Sequence, residues 1–189
     1  MDIYDYLKQD HEHVKKLFKQ FENSKVLERK KQIAYLIAQE LIVHAHSEQE
    51  IFYKALKKFE LTKDDASHGQ QEHKEIEDQI RLVLQSTEFN SAWIKQVDKL
   101  KDIVEHHIND EEGPMFTQAK EVLSQQDAGD LKEKMHYLKQ YLLRSLEKAG
   151  KPASVNKKKT KKMATAEHTI SSAHHKTVLK KHEPRPRYH

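Results

Sequence analysis

The chain has 189 residues, 34% charged and 36% hydrophobic, with four glycines, four prolines and a formal net charge of +4. So few turn residues favour helices over sheet, because strands need frequent turns. Cysteine is absent, which excludes disulfides, zinc–thiolate sites, cysteine-ligated iron–sulfur clusters and cysteine nucleophiles.

The start, MDIYDYLKQD, is acidic and lacks the apolar run of a secretory signal. No stretch approaches the roughly 18 apolar residues of a membrane span, so a cytoplasmic protein is expected. Residues 150–189 carry nine Lys and two Arg against Glu167 and Glu183, a net +9, which leaves −5 for the first 149 residues. Nine of the fourteen histidines lie in that acidic part.

In chain order, apolar residues at three- and four-residue steps predict helix A over about 2–21, with Tyr4, Leu7, Val14, Phe18 and Phe21 inward. Helix B is predicted over about 26–59, with Ile33, Ile37, Leu41, Ile51 and Ala55 on one side. Thr62 and Asp65 resemble a capping box opening helix C, which reaches about Gln85 along Ala66, Ile76, Ile80 and Leu84. Helix D follows Ser86-Thr87 with Trp93, Val97, Leu100 and Val104, until Gly113-Pro114 interrupts it. Asp127 can cap helix E, whose stripe is Leu131, Met135, Leu138, Leu142 and Leu146, and Gly150 stops it. The expected architecture is an all-α, antiparallel up-down four-helix bundle with an additional C-terminal helix. Its parts are a bundle over 1–125, the extra helix over 126–150 and a Lys/His-rich tail over 151–189. The tail has too little apolar material to offset its ordering entropy and is expected to be disordered.

A helix turns about 100° per residue, which assigns each polar side chain a face. On helix B, His44 lies within about 20° of Ile33, Ile37, Ile51 and Ala55, with Glu48 about 40° away. His46 falls on the opposite face with Gln39 and Tyr53, and Glu50 accompanies it. On helix D, His107 and Glu111 continue the line of Trp93, Leu100 and Val104, whereas His106 turns toward Lys99 and Asp110. Helices A and C each point one histidine inward, His11 and His73; His13 and His68 point away, and Glu77 falls on the inner side of helix C.

An internal repeat links the halves. DHEHV at 10–14 matches EHKEI at 72–76, and HAHSEQEIFY at 44–53 matches HINDEEGPMF at 107–116, offsets of 62 and 63. Each half supplies one inward histidine and then an inward His-x-x-x-Glu, whose i, i+4 spacing lets both side chains reach one centre. Two buried glutamates are costly unless paired or metal-bound, and no inward Lys or Arg presents itself in these four stripes. Histidine and carboxylate donors without sulfur suit iron, manganese or zinc.

DHEHVKKLF, HAHSEQEIFY, EHKEI and EHHINDEEGPMF resemble, in order and spacing, the hemerythrin-like, HHE cation-binding domain family over about residues 1–125. The resemblance implies a bundle holding two non-haem iron ions, carboxylate-bridged and sharing an oxo or hydroxo bridge, with manganese or zinc as alternatives. It implies His11, His44, Glu48, His73, His107 and Glu111 as ligands. The family's oxygen carriers place a further histidine one turn before the residue matched to His73; here that position is Gly69, which implies a more open site. The implied role is binding or sensing dioxygen, nitric oxide or peroxide, or handling iron. One alternative is a peroxidase- or catalase-like di-iron enzyme, with His68, Tyr35 or Tyr53 as candidate proton donors. Another is a nucleic-acid-associated helical module with a structural metal. The basic tail suits non-specific contact with nucleic acid or an anionic surface, and its five histidines suit weak metal scavenging.

Overall fold

The computed structural model describes residues 1–150, with side chains to Leu146. The expected disordered tail, 151–189, lies outside the described residues. Every element among the described residues is helical: α1 (Ile3–Asn23), α2 (Leu27–Glu48), a π-helical turn π1 (Gln49–Tyr53), α3 (Lys54–Leu56), α4 (Lys63–Gln85), α5 (Ser91–Asp110), a second π-turn π2 (Glu111–Met115), α6 (Phe116–Val122) and α7 (Gln125–Gly150). α1 packs on α2, α4 on α5, and α2 on α4.

Local chemistry sets the boundaries. Asp2 opens α1 by accepting from the Asp5 amide at 3.0 Å, and Asn90 opens α5 by accepting from Ala92 and Trp93. The expected capping box at Thr62 does not form: its hydroxyl donates to the Leu56 carbonyl at 2.7 Å, tying α4 to the end of α3. Asp127 does not cap α7 by itself. Ser124 is the cap, exchanging hydrogen bonds with Asp127 three residues on.

The apolar residues form two clusters. One holds Val14, Phe18, Phe21, Ile37, Leu41, Ile76, Ile80, Trp93, Leu100, Val104 and their neighbours. The other holds Ile3, Tyr4, Leu7, Phe52, Tyr53, Leu56, Met115, Phe116, Leu131 and Met135 among others. Each of α1, α2 with π1, α4 and α5 with π2 runs from one cluster to the other, so a short polar layer on each helix separates them.

Two expectations about helix faces change. The line of α4 ends in Val83, which is buried, and Leu84 is 44% exposed. Val83 lies only about 20° from Ile76, whereas Leu84 is about 80° round. The larger change comes from π1. Its wider turn accommodates one extra residue, so everything after it rotates relative to an unbroken α-helix. Phe52, Tyr53 and Leu56 are fully buried, while Ile51 and Ala55, expected inside, are only half-buried. Tyr53, expected outside with His46, is therefore inside. The second π-turn holds Gly113 and Pro114, so the helix widens there and continues into α6 rather than breaking. Proline clashes with the carbonyl four residues back in an α-helix, and a wider turn relieves that clash.

α7 packs through its first half. Ala128, Leu131 and Met135 are buried in the second cluster, and Leu146 is 42% exposed. Beyond that apolar contact, Lys139 of α7 is buried and its Nζ lies 2.6 Å from Asp10 of α1. Tyr6 Oη and His136 Nδ1, 3.3 Å apart, flank the same seam. Removing one partner of a buried pair leaves the other charge uncompensated. Lys139→Met should therefore destabilise the fold by about 3 kcal/mol in urea unfolding, and Asp10→Asn on top of it should recover part of that loss. Additive losses from the two changes would show that the pair is not coupled.

Candidate metal centre

The six residues singled out by helical face converge in the polar layer between the two apolar clusters. His11 follows Leu7 and precedes Val14 on α1; His44 and Glu48 lie between Leu41 and Phe52; His73 lies between Ala66 and Ile76; His107 and Glu111 lie between Val104 and Met115. All six are at most 5% exposed, and Glu48 and Glu111 are 0% exposed. Of the paired histidines, His46 and His106 are exposed, as are His13 and His68. Glu77 is half-buried; the buried carboxylate on α4 is Glu72, which helical-face reasoning did not find.

The ring nitrogens are sorted. Every Nε2 turns inward. His73 Nε2 and His107 Nε2 are 3.1 Å apart, His11 Nε2 is 3.1 Å from Glu111 Oε2, and His44 Nε2 is 3.2 Å from Glu48 Oε2. Glu48 Oε2 is also 3.3 Å from His73 Nε2. Every Nδ1 is met by a polar side chain from elsewhere: His11 by Glu112 at 2.8 Å, His44 by Asp10 at 3.3 Å, His73 by Gln49 at 3.1 Å and His107 by Glu72 at 2.9 Å. A carboxylate accepting Nδ1–H fixes the tautomer that leaves Nε2 with a lone pair, and it orients the ring. Rotating the Gln49 amide presents its oxygen to His73 in the same way.

The inward atoms are not satisfied by one another. Both oxygens of Glu48, both of Glu111, and Nε2 of His11 and His44 are buried without a hydrogen-bond partner. Buried polar atoms are normally paired, so six unpaired ones facing a common point indicate an absent partner that accepts lone pairs. A cation is that partner: it takes carboxylate oxygens and neutral imidazole nitrogens together. Two sets of donor atoms each fall within 4.8 Å of one another, His44 with Glu48, His73 and His107, and His11 with His44 and Glu111. The donor set thus fits a metal site.

Without a cation, protons do part of its work. Burial pulls the His44 imidazole down, but the Glu48 carboxylate and the Asp10 hydrogen bond outweigh it and raise the pKa to about 10. Burial pushes Glu48 up, and the His44 charge reverses this, lowering it to about 2. Burial, helped by the His107 and His44 charges, holds His73 well below the usual imidazole range. Burial and the neighbouring Glu48 carboxylate raise Glu111.

Tyr53, named from the sequence only as a candidate proton donor and placed on the outer face, lies inside the layer. Its ring stacks on His73 at 5.3 Å with 20° between planes, and its hydroxyl is buried without a partner. Burial, then the Glu111 and Glu48 charges, push that hydroxyl well above the ordinary phenol range. Gly69 makes room for it: a Cβ there would meet the hydroxyl oxygen at 2.6 Å. The space one turn before His73 is therefore filled by a phenol reaching across from π1. Tyr35, by contrast, is 65% exposed and takes no part.

A signal for the outer partners does exist in the sequence. Asp10, Glu72 and Glu112 are each the immediate neighbour of a cluster residue. What periodicity cannot supply is the cross-helix pairing, in which each carboxylate supports a ring on a different helix.

On the side facing the first apolar cluster, the four imidazoles and Asp10 border a small cavity of about 10 Å³ whose remaining wall is Val14, Leu41, Ala45, Ile76, Val104 and Ile108. That is room for about one water-sized molecule.

Comparison with known proteins agrees with this geometry. A solved structure of a hemerythrin HHE cation binding domain-containing protein from Mycobacterium kansasii shares the fold with a TM-score of 0.69 at 24% identity, covering 78% of this chain and 91% of that one. A Nostoc sp. protein named DNA nickase is 29% identical over 127 residues, 66% of this chain and 35% of the relative, so the chain spans about a third of that relative's length. The family model of the hemerythrin HHE cation binding domain matches residues 2–119, which takes in all six buried donors, Tyr53 and the four Nδ1 partners. The chain belongs to the hemerythrin HHE cation binding domain family.

Proposed function

We propose that this chain is a non-haem di-iron protein that binds or senses a small ligand such as dioxygen, nitric oxide or peroxide, or handles iron, in the cytoplasm. The observation that carries this reading is the buried set of carboxylate oxygens and inward Nε2 atoms with no partner, bordered by a water-sized cavity with an apolar wall. The reading takes α1, α2, α4 and α5 as an antiparallel up-down bundle, which the three-residue link between α1 and α2 and their mutual packing support.

In this reading His11, His44, Glu48, His73, His107 and Glu111 hold two metal ions, and iron there supplies reversible redox chemistry and an affinity for small oxygen- or nitrogen-containing ligands. The chain's own residues do the rest. Glu48 and Glu111, both fully buried, offset the charge of the cations. Asp10, Glu72, Glu112 and Gln49 hold the imidazoles in one orientation. Val14, Leu41, Ile76, Val104 and Ile108 limit the size and polarity of what enters the cavity. The buried Tyr53 hydroxyl, stacked against His73 and without a hydrogen-bond partner, suits a ligand that needs a proton nearby. That same group is the feature an enzyme of the peroxidase type would use.

Iron loading without oxygen followed by exposure to air tests this. The expected result is about two irons per chain and a near-ultraviolet charge-transfer band, both lost in His107→Ala or Glu48→Ala. Iron content unchanged by those substitutions would contradict the assignment, and sustained peroxide turnover would favour the enzyme over the sensor.

A second reading has its own support: the likeness to a protein named DNA nickase, together with the +9 charge of residues 150–189. In it the bundle, with a structural metal, carries the basic segment to nucleic acid. Retention on DNA should then fall steeply between about 50 and 200 mM salt, and deletion of 151–189 should abolish it. Equal retention of the full and shortened chains would dismiss this reading.

A further inference from the structure

α4 and α5 each carry one more His-x-x-x-acid pair, turned to the outside. His68 and Glu72 are spaced i, i+4 on α4, and His106 and Asp110 repeat the spacing on α5. A donor atom from each of His68, Glu72 and Asp110 lies within 4.8 Å of the other two. His68 Nε2 is 3.6 Å from Glu72 Oε1, and His106 Nε2 is 3.9 Å from the same oxygen and 3.6 Å from Asp110 Oδ2.

Glu72 is what distinguishes this group from ordinary surface charge. It is only 7% exposed, its Oε2 is taken by His107 Nδ1 at 2.9 Å, and its Oε1 is buried without a hydrogen-bond partner. That free oxygen faces the two imidazoles, at separations too long for a hydrogen bond and suited to a common ligand between them. We infer that His68, Glu72, His106 and Asp110 form a second, exchangeable site for a divalent first-row metal ion on the outer face of α4 and α5.

Two imidazoles and two carboxylates are borderline-hard donors that take Zn²⁺, Co²⁺ or Fe²⁺. His68 and His106 have 61% and 70% exposed side chains, so water completes the coordination and the ion exchanges with solvent. Glu72 bridges the two sites, one oxygen toward the surface ion and the other toward His107. An ion bound outside is thus one carboxylate away from the buried cluster. His68, His106 and Asp110 are not among the buried donors, so the two assignments stand or fall separately.

The test uses the full chain with whatever metal it retains tightly, titrated with Co²⁺ alone. Any cobalt taken up by the histidines of 151–189 is the same in every variant. His68→Ala/His106→Ala should bind about one Co²⁺ fewer per chain, or bind it at least about tenfold more weakly, with tightly retained metal unchanged. The same number and affinity of cobalt ions in both proteins would overturn the site. A second measurement needs no variant: paramagnetic Co²⁺ should broaden or shift the ring resonances of His68 and His106 at the first added equivalents. Unperturbed rings at equivalents that saturate the chain would equally overturn it.

Discussion

The structure turns on one constraint: two carboxylates, Glu48 and Glu111, stand at zero exposure with all four oxygens lacking a hydrogen-bond partner. An isolated ionised carboxylate in an apolar interior costs many kcal/mol, so each must be protonated, paired with a positive charge or bound to a cation. A proton on His44 is one such charge: the Glu48 carboxylate and the Asp10 hydrogen bond favour it and raise the imidazole to about 10. A proton satisfies one oxygen at a time. A metal ion satisfies several lone pairs together, and the buried donors already fall into two such sets, His44 with Glu48, His73 and His107, and His11 with His44 and Glu111.

The scaffold around that point explains why it can exist. Two apolar clusters carry the packing, one on each side, and the polar layer between them is about two to three turns deep on each helix. The π-turns sit immediately after the His-x-x-x-Glu pair of α2 and at the Glu of the pair that starts on α5, at Gln49–Tyr53 and Glu111–Met115. Each resets the helical register as the chain leaves the layer. The first of them swings Tyr53 into the cluster, where Gly69 leaves the space it needs. α7 adds a further support from beyond the matched domain, since Lys139 pairs with Asp10, and Asp10 meets His44 Nδ1. A positive charge on α7 is thereby tied to the orientation of a ring in the centre.

Much of this was legible in the sequence, for identifiable reasons. Straight α-helical stretches obey their period, so His11, His44, Glu48, His73, His107 and Glu111 could be separated from His13, His46, His68 and His106 by angle alone. The error at Tyr53 arose where the period failed: no residue type in Gln49–Tyr53 announces a π-turn, and one extra residue moves a side chain from the outer face to the inner. The Gly113-Pro114 pair does announce an irregularity, but a widened turn and a broken helix have the same sequence signature. Which support meets which imidazole was invisible for a different reason. Glu72 and His107 are 35 residues apart, and periodicity within one helix says nothing about which neighbour a side chain will meet.

The central claim is that the buried carboxylates depend on a cation, and equilibrium unfolding with and without metal tests it most directly. Anything that binds only the folded state raises its stability. The chelated chain should unfold at lower denaturant than the metal-loaded chain, and Glu48→Gln/Glu111→Gln should abolish that difference while leaving the metal-free chain as stable as before or more so. Equal unfolding midpoints for the chelated and loaded wild-type chain would contradict the account.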